Sequence, residues 1–265
     1  MKLSAAISAF LVTALLGLDA AAQDGTLAAK VRRWQADLRG DIKVDDSGIS
    51  GTSIDVDSTL GFDSTENFDE LHVSMKLPII GGFNFQYMRG GFEGTSLLTS
   101  DITFGGTTFT ASTQVDSELD FETYTLLWQF GATTPGVIGG GMAAGAIAGI
   151  KYFDIHAEIH DNFGNSEDAD VNAPVPVIGA YVRLSLLKFL SVEAQVHGIK
   201  YFDTFNLGVE GTFYDATIAV DVKVMGLFAG AGYRFYHLDF EYDNGSDAEV
   251  EFDLEGLFFE AGFSF

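Results

Sequence analysis

The chain has no cysteine, only four prolines in 265 residues, and few basic side chains: 14 Lys and Arg stand against 38 Asp and Glu. Without cysteine there is neither a disulfide framework nor a thiol nucleophile. A net charge of −24 repels phosphates, which argues against a nucleic-acid partner. Beyond the N-terminal segment no apolar run reaches the roughly 20 residues that a membrane helix needs. The longest, residues 136–150, is too short and is broken by glycine. A phosphate-binding glycine loop and a G-x-S-x-G nucleophile elbow are also missing, so the expectation is no enzyme and no cofactor.

What is abundant is glycine, at 31 residues, and aromatics, at 13%, of which 24 are Phe. A mean hydropathy of +0.18 is too apolar for a disordered acidic chain. Lys2, an apolar stretch over residues 3–18 and Ala20-Ala21-Ala22 have the order of a secretory signal peptide. The expected organisation is therefore a signal peptide, residues 1–22, followed by one unit, residues 23–265.

That unit alternates with period 2. Tyr214, Ala216, Ile218, Val220, Val222 and Val224 take one face of residues 214–224; Asp215, Thr217, Ala219, Asp221 and Lys223 take the other. Leu71, Val73, Met75 and Leu77 alternate with polar neighbours, as do Val192, Ala194 and Val196. No helix explains such a pattern, and the runs exceed the five or six residues of a usual globular strand. Ten such segments are readable. The links alternate too: short at 78–82, 187–190 and 225–227, somewhat longer at 131–141, long and acidic at 45–67, 95–117 and 161–173. The expectation is an all-β, transmembrane, antiparallel up-and-down β-barrel of about ten strands, with eight or twelve as alternatives. Residues 95–113 read as a protruding hairpin, and 45–67 as a loop that partly folds inward.

The last strand ends Phe263-Ser264-Phe265. These alternating C-terminal aromatics resemble the assembly signal of small Gram-negative outer-membrane β-barrel proteins. The glycine usual in that signal falls at Glu260; the glycines here are Gly256 and Gly262. The resemblance implies the cell outer membrane as location, lipid and lipopolysaccharide as surroundings, and recognition of Phe263 and Phe265 by the outer-membrane assembly machinery. A monomer is expected.

With apolar faces toward lipid, the polar faces form a lumen. Arg33, Arg39, Lys43, Glu70, Lys76, Gln86, Asp154, Arg183, Glu193, Gln195, Asp215 and Lys223 are its expected lining. Charges there must pair, giving an ionic plug. Asp154, His156, Glu158 and His160 share one strand face, expected to be inside near the outer end. They are either a hydrogen-bonded polar face or the start of a transition-metal site, which would need a partner such as His237 or Asp239. The acidic loops are candidates for Ca²⁺ or a solvated repulsive surface.

Gly149-Ile150-Lys151-Tyr152-Phe153-Asp154 is echoed at Gly198–Asp203 and, more weakly, at Gly232–Tyr236. Its aromatics suit an interfacial girdle with Lys151, Lys200 and Arg234 reaching to headgroups or to lipopolysaccharide phosphates. In the last strand Val250, Phe252 and Leu254 are on even positions, and Leu257, Phe259 and Ala261 on odd ones. That change of phase reads as a β-bulge near Gly256. Three functions remain: a structural or surface-interaction barrel with a filled lumen, a narrow channel for small or cationic solutes, or an outer-membrane enzyme.

Overall fold

The computed structural model describes residues 26–45, 49–77, 80–135, 141–203, 209–243 and 247–265; the expected signal peptide lies outside these. The strands are β1 (Leu27–Val44), β2 (Ile54–Asp55), β3 (Thr65–Leu77), β4 (Gly81–Leu97), β5 (Ile102–Phe104), β6 (Thr107–Phe109), β7 (Gln114–Pro135), β8 (Gly141–Asp161), β9 (Ser166–Leu187), β10 (Leu190–Asp203), β11 (Val209–Val224), β12 (Leu227–Asp243) and β13 (Asp247–Ser264). Ten of them form one antiparallel ladder in chain order, β1, β3, β4 and β7 to β13, and β13 pairs back onto β1 to close it. Short links gather at one end, for example the two-residue turn at Met225 and Gly226, whose φ values of 48° and 83° fit a tight primed hairpin. Both ends of the described chain are on that side, which the length rule assigns to the periplasm.

Each strand outruns the bilayer, and this overturns the simple assignment of faces. In the periplasmic half of β1, Val31 faces out and Lys30 and Arg32 face in. Above Arg32 the same alternation continues with the polarity exchanged: Trp34, Ala36, Leu38, Ile42 and Val44 are buried inside, while Arg33, Asp37, Arg39 and Asp41 are outside. On β11 the exchange falls between Phe213, inside, and Tyr214, outside. On β8 it falls between Tyr152, outside, and Phe153, inside. A belt of 9–11 residues per strand therefore meets lipid, and a taller rim stands in water with an apolar interior. β13 pairs with β12 in unbroken register from Phe263 to Asp247. The bulge expected near Gly256 is absent, because the phase change is this exchange of solvents.

Aromatics mark both edges of the belt. Tyr87, Tyr124, Tyr152, Tyr214 and Tyr233 point out at its upper edge. Tyr233 and Tyr152 donate their hydroxyls upward to Glu255 (3.0 Å) and Asn172 (3.3 Å). At the lower edge the Trp128 and Phe130 rings are 4.9 Å apart, as are Phe263 and Phe265 at 5.1 Å. Amphipathic rings prefer such interfaces.

The rim is filled rather than hollow. Of the 45–67 segment, the described residues 49–64 fold inward, burying Ile54, Val56, Leu60 and Phe62. The β5–β6 hairpin forms as expected but does not protrude: Ile102, Phe104 and Phe109 are buried in the rim, and Thr52 N donates to Thr103 O at 2.8 Å. Burying its three apolar side chains outweighs exposing them, at roughly 1.5–3 kcal/mol each. Rings then cross the lumen in contact: Phe92 to Phe68 (5.7 Å), Phe68 to Trp34 (5.4 Å), Trp34 to Tyr236 (6.1 Å), Tyr236 to Phe213 (5.1 Å) and Phe213 to Phe153 (5.2 Å). Gly90 leaves the space Phe68 needs, since a Cβ there would lie 2.5 Å from its ring.

The two outer surfaces should respond differently to charge. Ile218→Arg, in the belt, is expected to lower stability by about 2–4 kcal/mol; Glu251→Arg, outward on the rim, should stay within about 0.5 kcal/mol. Reversible unfolding in vesicles, followed by the heat-modifiable gel shift, measures both.

Candidate functional site

Just below the aromatic layer, the inward positions of six strands bring charged groups together. Arg234 on β12 donates from Nε and Nη2 to the two oxygens of Asp215 on β11, at 2.9 and 2.6 Å, and from Nη1 to Glu70 on β3. Its guanidinium lies 4.5 Å from the Trp34 ring centroid. Arg32 on β1 donates from Nε and Nη2 to Glu260 on β13, at 2.9 and 2.8 Å, and its Nη1 is 3.5 Å from Glu70. Lys30 reaches Glu260 at 3.0 Å. His72 Nε2 lies 2.7 Å from Glu70. Lys151 on β8 is 3.8 Å from Asp215 and 4.9 Å from the centroid of Tyr236.

Apart from Lys30, whose side chain is 20% exposed, these groups are almost fully buried. Removing an ion from water costs several kcal/mol, and only good geometry offsets it. Here it is offset by forked guanidinium–carboxylate bonds and by aromatic faces turned to the cations. Below the network is a cavity of about 30 Å³ lined by Arg32, His72, Asn84, Gln86, His197 and Thr217, among others. Such a volume has room for about two waters. His197 Nε2 and Asn84 Oδ1 line it without a hydrogen-bond partner in the protein, although His197 Nε2 is 3.7 Å from Asp215. Nearer the periplasm, Arg183 Nε donates to Glu193 at 2.6 Å and Gln129 to Gln195 at 3.2 Å.

Of the expected lumen residues, Glu70, Gln86, Arg183, Glu193, Gln195 and Asp215 face in, and Lys76 and Lys223 occupy inward positions near the periplasmic end. Four do not. Arg33 and Arg39 are on the outer face of the rim, with side chains 65% and 75% exposed, near Asp69 (3.7 Å) and Glu255 (3.5 Å). Lys43 and Asp154 also face outward. All four lie above the belt, where the polar face is the outer one. Lys151 and Arg234 were expected at the lipid interface and are instead buried inside; Lys200, on the opposite phase of its strand, is exposed. Arg32, Lys30, His72, His197 and Glu260 were missed. Glu260 replaces the signal's usual glycine and bridges the closing strands. The available signal was parity: Lys151 and Arg234 are in phase with the apolar residues above them.

The Asp154, His156, Glu158 and His160 row points to the outside of the rim, not into the lumen. His156 Nδ1 is 2.8 Å from Asp170 on β9, and with Asp168 the ligand atoms of these three lie within 4.8 Å of one another. His160 is 3.6 Å from Asp116. The suggested partners His237 and Asp239 are on β12, four strands away, and His237 sits beside Asp253 at 2.8 Å. In the β8–β9 loop, Asp161 accepts from Phe163 N, Asn165 N and Asn165 Nδ2 at 2.7–2.9 Å, so its carboxylate organises that turn.

No family model matches the sequence, and no curated protein sequence matches it. Solved structures do resemble it. The transport unit of the autotransporter AIDA-I from Escherichia coli is 11% identical, with a TM-score of 0.42 over 99% of this chain and 98% of that one. The outer membrane protease OmpT from Escherichia coli is 8% identical, at 0.49 over 94% and 99%. Ail, the attachment invasion locus protein of Yersinia pestis, is 8% identical, at 0.33 over 89% and 99%. At these identities the likeness is one of fold. The closed ladder, lipid-facing belt and paired girdles make the chain an outer-membrane β-barrel protein.

Removing Arg234 leaves two buried carboxylates without their main cation. Arg234→Met should cost about 3–5 kcal/mol, and adding Asp215→Asn should recover part of the loss, read from unfolding in vesicles. A second expectation concerns His156, which is outside the membrane. Its hydrogen bond to Asp170 raises its pKa above 6.5, against a smaller opposing effect of burial. The pair therefore stabilises the fold below the unfolded value and ceases to as pH rises through the folded one. An NMR titration should place the His156 midpoint above 6.5, and Asp170→Asn should lower it.

Proposed function

We propose that this protein is a structural or surface-interaction barrel whose lumen carries no solute. The supporting observation is the unbroken run of ring contacts from Phe92 to Phe153 across the barrel, lying directly on the Arg234 network. Opening a path there means breaking an apolar layer and a buried charge cluster together. The surface offered to the exterior is a tall acidic rim. On β7, β8 and β9 alone, Asp116, Glu118, Asp120, Glu122, Asp154, Glu158, Asp168 and Asp170 occupy outward positions. Such a surface repels anionic partners at short range and attracts cationic ones.

On this reading the protein acts as a monomer among outer-membrane lipids and lipopolysaccharide, without catalysis or cofactor. His156 serves as a hydrogen-bonded surface group, and Phe263 and Phe265 are read by the assembly machinery. The narrow channel is the competing function. In planar bilayers at about neutral pH the protein should give no discrete openings. Stepwise, cation-selective conductance would overturn the closed-lumen reading.

A further inference from the structure

The chain as a whole is strongly acidic, but the lumen below the rings is not. In the network around Arg234, the cations Lys30, Arg32, Lys151 and Arg234 face three carboxylates, Glu70, Asp215 and Glu260. Below them Arg183 and Glu193 offset each other. Asp221, lower on β11, is outweighed by Lys76 and Lys223 at inward positions near the periplasmic end. Among the described inward groups below the rings, cations are therefore in excess, where burial makes an uncompensated charge costly.

The cavity beneath the network lies against this excess. Lys30, Arg32 and Arg234 all line it, and the two carboxylates that also line it, Asp215 and Glu193, are already held by Arg234 and Arg183. The neutral lining is set to donate. Gln129 Nε2 donates to Gln195 Oε1 at 3.2 Å, which turns Gln195 Nε2 toward His197 Nδ1, also at 3.2 Å. An amide nitrogen only donates, so Nδ1 accepts and neutral His197 carries its ring proton on Nε2. His197 is only 2% exposed, and its Nε2 has no hydrogen-bond partner; Asp215, at 3.7 Å, is out of reach. No hydrogen bond among the described residues holds the Asn84 amide either, so a half-turn presents its NH₂ to the cavity in place of Oδ1.

We infer that this cavity is a binding site for one small monovalent anion of chloride size. It is held by His197 Nε2–H and the Asn84 amide, in the field of Lys30, Arg32 and Arg234. Chloride is little larger than a water and fits a space of about 30 Å³, whereas phosphate and organic acids do not. Two waters would satisfy the hydrogen bonds but leave the charge excess uncompensated. The part-exposed Lys30 and Arg183 bring solvent to the lower edge from the periplasm. The ion therefore enters and leaves on one side, and the rings above stay closed.

The test uses protein with ¹⁵N-labelled histidine in nanodiscs, with sodium gluconate replaced stepwise by sodium chloride at constant ionic strength. Gluconate is too large for the cavity. The His197 Nε2 resonance should shift saturably with chloride, while that of His156, on the outer rim, stays in place. Asn84→Asp turns a carboxylate toward the ion and should weaken the apparent affinity about tenfold or more. Crystals grown in bromide should show an anomalous peak between His197 and Asn84. A His197 resonance that ignores chloride, or drifts without saturating as His156 does, would overturn the site. So would an unchanged saturating shift in N84D when its gel shift shows it folded. Where N84D does not fold, the wild-type bromide crystal decides: density without anomalous signal at that position means water only, and the anion site is wrong.

Discussion

Each strand of this barrel crosses two solvents, and the rest of the structure follows from that. Inside the bilayer the outer face must be apolar and every backbone group must be paired. Above it the outer face meets water, and the only place left to bury apolar side chains is the lumen. Period-2 alternation serves both regimes without a change of register, because side chains keep their faces while the meaning of each face changes. Val31 and Arg33, or Leu257 and Glu255, are outward neighbours on one strand, two residues apart, on opposite sides of that boundary.

The boundary inside the lumen is where charge becomes expensive. Below it, lumen groups such as Arg183 still reach solvent, with a side chain 55% exposed. Above it, the interior is as dry as a globular core. Arg234, Asp215, Glu70, Arg32 and Glu260 lie at this transition and draw on β1, β3, β11, β12 and β13. Their pairing neutralises the top of the polar lumen, and the cation–aromatic contacts to Trp34 and Phe258 join it to the layer above. The network also ties the first strand to the last through Arg32 and Glu260, so closure does not depend on the backbone ladder alone.

The architecture was legible in the sequence, because a barrel strand writes its pattern locally. Residues 214–224 alternate cleanly since they lie wholly within the belt. The location of charges was less legible, and the misplacements share one cause. Arg33, Arg39 and the Asp154–His160 row were assigned inward on the premise that polar faces line the lumen, which holds only below Tyr152 and its equivalents. The phase change between Leu254 and Leu257 carried the missing information, but a single strand does not distinguish a bulge from a change of solvent. Comparing strands does, since β1, β8 and β11 change at matching heights. The hairpin lid was not legible either: Ile102, Phe104 and Phe109 are apolar whether they protrude or fold in, and only the space left inside a ten-strand rim decides.

Closure of the lumen and weakness of the wall are linked. A plugged barrel stores its cohesion in the middle, where rings and ion pairs hold β1, β3, β8, β11 and β12 to one another across the lumen. Once the interior supplies that cohesion, a wall strand can give up part of its hydrogen bonding without the cylinder falling apart. β9 is the strand that does so: it contributes Val171, Ala173, Val175 and Val177 to the apolar interior but no member of the central ion network. Its prolines, Pro174 and Pro176, are tolerable because its ladder to β8 stays continuous up to Ser166 opposite His160, and its inward side chains pack into the core. In an open channel the same two prolines would leave the wall with nothing behind it.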